Sequence, residues 1–238
     1  MKIRYIKENP AAGCTIPRDD EDTRSHVINP LDTSQIIEFT KRIKESKYER
    51  IYLTALYTGM RLSEIIGLQW DRVNLKTGEI TISKQLTMKR EKGSERRMSA
   101  TKSRKVRSII IPKTAIDVLL IQQTEQQKQA AIAGSEWNNE LNLVFTGDYG
   151  NSVPHASVEH DFKRIVRAMN LPDRRFHDLR HTFATEAIRA GVDVETVSKA
   201  LGHFSVGCTL DVYGHVTPEM KMEAARRLQQ AIENRQNG

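Results

Sequence analysis

Apolar and polar positions divide the chain into a short helical opening, a β-type middle and a longer helical remainder. Ile36, Ile37, Phe39 and Ile43 recur at near-helical spacing, which predicts a helix over 34–46 capped by Asp32 or Thr33. Ile51, Leu53 and Leu56 predict a second helix that stops near Gly59, and a short helix resumes over 61–67. The period then changes. Glu79 to Ser83 alternates as a strand does, after turn residues at 74–78, and Val106 to Ile111 is a second strand ended by Pro112. Between them lies a polar, basic excursion, so the pattern predicts a small antiparallel sheet with a long loop.

Helical spacing returns over 113–133, where Ile116, Leu119, Leu120 and several alanines share a stripe. Leu143-Val144-Phe145 reads as a short apolar strand or turn. Further helices are expected at about 156–169, 177–190 and 194–201, the last stopped by Gly202. Thr217-Pro218-Glu219 places an N-cap, a proline at the first helical position and an acid in the first turn, opening a helix over 217–235. Residues 1–33, punctuated by Pro10, Gly13, Pro17 and Pro30, read as a tail or linker. No internal repeat is visible. The expected fold is mainly α with a small antiparallel β-sheet.

At 238 residues the chain allows one large domain or two small ones, and it buries a core without needing staples. Its 38% hydrophobic and 28% charged residues exclude collagen-like, low-complexity and disordered classes. Cys14 and Cys208 form no paired motif, which argues against a disulfide scaffold or a cysteine zinc site. Neither a signal-peptide apolar region nor a run long enough to span a bilayer is present. A soluble cytoplasmic protein without membrane contact is expected.

Charge changes the picture in one place. Residues 89–107 carry nine basic residues against Glu91 and Glu95, an excess equal to the +7 net charge of the whole chain. Such a run is either a solvated loop or a hairpin laid along a phosphate backbone.

The candidate chemistry lies elsewhere. His177, Arg180 and His181 fall on one face of an expected helix, where two imidazoles and a guanidinium suit an anion. The i, i+4 histidines also match zinc helices, but Asp178 stands where the zincin pattern has Glu, and no third ligand is evident. Arg61 follows a glycine and precedes Glu64 by three, the spacing of an ordinary helical ion pair. Tyr213 taken alone reads as a packed aromatic.

In combination these segments resemble the catalytic domain of tyrosine recombinases, the phage and mobile-element integrase family. The matching pieces are Thr-Gly-Met-Arg-Leu-Ser-Glu at 58–64, His-Asp-Leu-Arg-His-Thr-Phe-Ala at 177–184, Leu-Gly-His at 201–203 and Thr-Leu-Asp-Val-Tyr at 209–213. Lys102 sits where that family has its β-hairpin lysine, and the likeness runs from about 30 to about 230.

The resemblance implies a site-specific DNA recombinase with the DNA breaking–rejoining fold, acting without metal, ATP or other cofactor. Tyr213 would attack a phosphodiester to give a 3′-phosphotyrosine and a free 5′-hydroxyl. Arg61, Arg180 and His203 would stabilise charge on the non-bridging oxygens. Lys102, with Lys105 as its rival, would protonate the departing oxygen, and His177 would share the tyrosine proton. Glu64 would orient Arg61. His181 and His215 match family positions without an assigned role. Lys89, Arg90, Arg96, Arg97, Arg104, Lys105 and Arg107 would meet the backbone of double-stranded DNA.

By the same resemblance, 31–238 is the catalytic domain. Residues 1–30 are a linker or the remnant of a missing N-terminal core-binding domain. A homotetramer on DNA is expected of the full-length protein and a monomer of this fragment. The last helix would dock onto a neighbouring protomer. Rival readings are a type IB topoisomerase, a non-catalytic DNA-binding protein or decayed integrase, and a zinc hydrolase.

Overall fold

The computed structural model describes residues 29–88, 96–100 and 106–202, with Arg226, Gln229 and Glu233 beyond them. Helix α1 (Thr33–Arg42) begins at Asp32, which accepts from the Gln35 backbone N–H while the Gln35 side chain accepts from the Asp32 N–H. This reciprocal box satisfies two donors that a helix start leaves without partners. Helix α2 (Glu49–Thr58) ends on Gly59 in the left-handed conformation, and the one-turn α3 (Leu62–Ile65) follows at once.

The sheet comprises β1 (Val73–Asn74), β2 (Glu79–Ile82) and β5 (Arg107–Ile110), antiparallel and in the order β1-β2-β5. Ile80 pairs with Ile109, and Ile82 with Arg107. Of the two readings of the basic excursion, loop or hairpin, the described residues show paired strands, β3 (Lys84–Met88) with β4 (Arg96–Ala100). Their polar composition hides the alternation. Leu86 and its register partner Met98, the central pair, seat this hairpin on the core.

Helix α4 (Lys113–Ala133) covers its predicted span. After it, Leu143 to Phe145 form no strand. They cross the interior as irregular chain, with an isolated bridge from Leu143 to Gln69. Buried Gln122 and Gln126 of α4 donate to the Leu143 and Val144 carbonyls, replacing the strand neighbours that backbone would otherwise need. Helices α5 (His155–Ala168), α6 (Asp178–Arg189) and α7 (Val194–Leu201) complete the described part.

One hydrophobic cluster joins the sheet to α1, α2, α4 and α5, and Phe39, Tyr52, Phe162 and Phe176 meet in it at centroid distances of 5.8–6.0 Å. Leu31, expected in a tail, belongs to this core, and its N–H donates to Thr182 Oγ1 at 2.9 Å. Arg226, Gln229 and Glu233 are helical, within the last predicted helix. Among the described residues no helix is long and apolar enough to cross a membrane.

Candidate active site

The site forms where the C-terminal ends of α2 and α7 approach α3 and the start of β5. A helix C-terminus leaves carbonyls without intrahelical donors and carries the negative end of the helix dipole, so it favours a cation. Arg180, on α6 and only 2% exposed, answers both helices. Its Nη1 donates to the Gly59 carbonyl at 2.9 Å, and its Nη2 donates to the Leu201 carbonyl. A guanidinium held by both terminal nitrogens has a fixed plane.

Gly59 meets two demands at once. Its φ is +62°, which glycine adopts without the steric cost of a Cβ. A Cβ there would run into the Phe183 ring edge and stand 2.8 Å from Leu201 Cδ2. The hydrophobic pattern marks Gly59 as a helix stop. The same residue sets how near α2 comes to α6 and α7.

Arg61 lies two residues on, in extended conformation, as the N-cap of α3. Its Nη1 donates to Glu64 Oε1 at 3.2 Å, and its backbone N–H donates to Glu64 Oε2 at 3.0 Å. The Arg61 side chain keeps 18% of its surface exposed, while the Glu64 side chain keeps none. Glu64 therefore pairs with Arg61 from beneath, at the i, i+3 spacing of a helical ion pair.

A second guanidinium also holds Glu64. Arg107 Nη1 and Nη2 donate to Oε1 and Oε2 at 3.0 and 2.7 Å, and its Nε donates to the Ala200 carbonyl at 2.8 Å. This corrects the expectation that Arg107 faces DNA: its side chain is only 8% exposed. Strand parity is the reason. Positions 107, 109 and 111 turn inward, leaving Ile110 72% exposed. The signal was present in the alternation, but the charge of the basic run masked it. Burial opposes ionisation of Glu64, yet the Arg107 hydrogen bonds and the charges of Arg107 and Arg61 prevail, holding its carboxyl at about 2.

His177 precedes α6 in helical conformation, and its carbonyl accepts from the Arg180 N–H. Its ring meets that of His181 edge to face, with centroids 5.0 Å apart. Asp178 is buried beside them, with Oδ2 accepting from the Arg175 N–H at 2.8 Å. Among the described residues no group of three or more His, Cys, Asp and Glu is gathered to hold a metal.

The hairpin springs from the same place, since Ser63 Oγ of α3 donates to Gln85 Oε1 of β3 at 3.3 Å. Arg96 and Arg97 lie on β4, paired with Met88 and Thr87. Lys89, Arg90, Lys102, Arg104, Lys105, His203 and Tyr213 lie outside the described residues. The structure thus brings Arg61, Glu64, Arg107 and Arg180 to one locus, and Gly202, which follows the doubly anchored end of α7, directly precedes His203.

Comparison with known proteins bears on the family and the fold. The family model described as "Phage integrase family" matches residues 26–220. A tyrosine recombinase XerC-like protein of Caldanaerobacter subterraneus subsp. tengcongensis is 30% identical over 236 residues, covering 94% of this chain and 60% of its own length. The ICEBs1 integrase of Bacillus subtilis is 28% identical, with 76% of this chain and 48% of its own covered. The chain therefore spans about half to three-fifths of the length of these relatives. Among solved structures, the Tn1549 transposon integrase (residues 82–397) in complex with circular intermediate DNA shares the fold with a TM-score of 0.70. It is 22% identical, and the match covers 87% of this chain and 69% of that one. XerA recombinase has a TM-score of 0.61 at 20% identity, covering 85% and 65% of the two chains.

Proposed function

The chain belongs to the phage integrase family, and on that footing we propose that it cuts and rejoins double-stranded DNA at specific sites through a 3′-phosphotyrosine. The observation that carries this is the pair of guanidiniums, Arg61 and Arg180, fixed on either side of the left-handed turn at Gly59. The planar donor fork of a guanidinium suits the oxygens of a phosphodiester.

In the proposed reaction the Tyr213 oxygen forms a bond to phosphorus as the bond to the 5′-oxygen breaks. The tyrosine proton passes to His177, and Lys102 gives a proton to the departing oxygen. Arg61, Arg180 and His203 stabilise the charge that accumulates on the non-bridging oxygens. The phosphotyrosine keeps the bond energy, so a second 5′-hydroxyl reverses the step without ATP. With Arg107 committed to Glu64, the other cations of the basic run make up the proposed DNA-binding set, with Arg96 and Arg97 on the hairpin and Lys89, Arg90, Arg104 and Lys105 beside it. The Tn1549 transposon integrase, which shares this fold and was solved in complex with circular intermediate DNA, supports DNA as the partner.

A homotetramer on DNA, in the cytoplasm, is the proposed working assembly. An apolar groove of about 630 Å³, lined by Ile36, Leu56, Ile110, Phe183, Val192 and Val197, supports a helix-in-groove contact. The apolar residues of 217–235 from a neighbouring copy are the proposed occupant.

A nicked suicide duplex carrying the native recombination site tests the reading. A covalent adduct on a denaturing gel, formed in EDTA and absent from Tyr213→Phe, is the expected result. No adduct from the protein on that site, with the upstream part of the family's architecture supplied, would leave only a DNA-binding protein.

A further inference from the structure

We propose that Arg107 is a positioning residue of this site, holding the carboxylate of Glu64 and the end of α7 so that Arg61 and Arg180 face one phosphate. The inference rests on the recombinase reading above. Three of the Arg107 nitrogens are engaged, two on Glu64 and one on the Ala200 carbonyl. Arg180 holds the next carbonyl of the same helix, at Leu201. The α7 terminus thus hangs from two arginines on two different elements, and one of these also fixes the acid beneath Arg61. Gly202 completes the fit, because a Cβ there would stand 3.0 Å from Arg107 Cδ, and its φ of +67° favours glycine.

The geometry is demanding because the carboxylate is shared. Glu64 has two oxygens, and each accepts from Arg107 as well as from Arg61. Bidentate pairing fixes the carboxylate plane, which a single i, i+3 contact does not. Without Arg107 the carboxylate can rotate, and Arg61 turns with it. Arg107 also stands at the first position of β5, five residues after Lys102 and two after Lys105. Its bonds therefore pin the chain where it leaves the segment carrying both candidate general acids. A lysine at this position keeps the charge but cannot span both carboxylate oxygens and a carbonyl.

The test compares wild type, Arg107→Met and Arg107→Lys in the intact protein by three measurements. These are DNA affinity, the single-turnover rate of adduct formation, and the NMR signal of the Arg61 guanidinium Nε–H. Expected for Arg107→Met is DNA affinity within about threefold of wild type, with adduct formation slowed about 100-fold and a broadened Arg61 signal. Arg107→Lys should recover part of the rate and part of the signal. Loss of affinity in parallel with rate, fully restored by lysine, would overturn the proposal in favour of a backbone phosphate contact. Unchanged rate in a folded Arg107→Met protein would overturn it outright. Failure of wild type to form any adduct counts against the recombinase reading instead, and the NMR comparison still decides whether Arg107 orders Arg61. If Arg107→Met does not fold, an Arg107→Lys protein with wild-type rate and Arg61 signal refutes the bidentate requirement.

Discussion

Arg180 donates to the carbonyl of Gly59 at 2.9 Å across 121 residues of sequence. That bond ties α6, which bears His181 and follows directly on His177, to the turn bearing Arg61, and the Leu201 carbonyl extends it to the end of α7. The turn at Gly59 and two consecutive helices far from it in sequence are set relative to one another through a single guanidinium plane.

Gly59→Ala should destabilise the protein by about 2–4 kcal/mol. A left-handed backbone costs a β-carbon about 1 kcal/mol or more, and crowding against Phe183 and Leu201 adds to that. Adduct formation should fall further than stability explains, because the carbonyl that holds Arg180 must move. Chemical denaturation checks the first part, and shortening Phe183 in the same background should recover some of the loss. Full activity in Gly59→Ala would show that Arg180 is placed by other contacts.

Glu64 predicts a specific acid response. Its folded carboxyl is held at about 2 against an ordinary 4.5, so the unfolded chain takes up the proton first as pH falls. The stability tied to this group is fully present above about pH 4.5 and lost as pH drops through about 2, on the order of 3 kcal/mol in all. Other carboxylates titrate in the same range. The useful quantity is therefore the stability gap between wild type and Glu64→Gln, from urea unfolding at several pH values. That gap should narrow below pH 4.5, and a constant gap would contradict the assignment.

Tyr52 offers a contrast. Its single hydroxyl proton is shared between Asp161 Oδ2 at 2.9 Å and the Val158 carbonyl at 3.1 Å, and burial followed by the Asp161 charge pushes its pKa up. Tyr52→Phe should cost about 1–3 kcal/mol by leaving buried acceptors short of a donor. Ser46 and Arg164 remain on Asp161, which favours the lower end. Adduct yield at a temperature where the variant is folded should match wild type. A selective loss of cleavage would mean that the aromatic cluster communicates with the site.

The basic hairpin should reveal itself through salt. Neutralising Arg96 and Arg97 to glutamine should weaken binding across all DNA sequences alike and reduce the slope of log K against log salt by about 2. Titrations at several salt concentrations measure it. An unchanged slope would return the run to the class of solvated loops.

The amino-acid sequence by itself determined the elements whose signals are local. Asp32 with Gln35, Gly59 and Gly202 set helix ends that the chain could not place elsewhere without unsatisfied backbone or a strained β-carbon. Helix α4 and strands β2 and β5 followed from periodicity alone, and the order of the motif segments was enough to identify the family. Where charge or polarity overrode periodicity, the sequence misled. The basic run left loop and hairpin equally open until the β3–β4 pairing, and Arg107 looked like a surface cation although its parity with Ile109 pointed inward. Only tertiary structure decided that α2 and α7 end beside each other, that Arg180 and Arg107 serve adjacent carbonyls of α7, and that Glu64 is shared between two arginines. The reason is that a buried guanidinium takes whichever carbonyls and carboxylates packing brings to it, and that supply depends on helix ends more than a hundred residues apart.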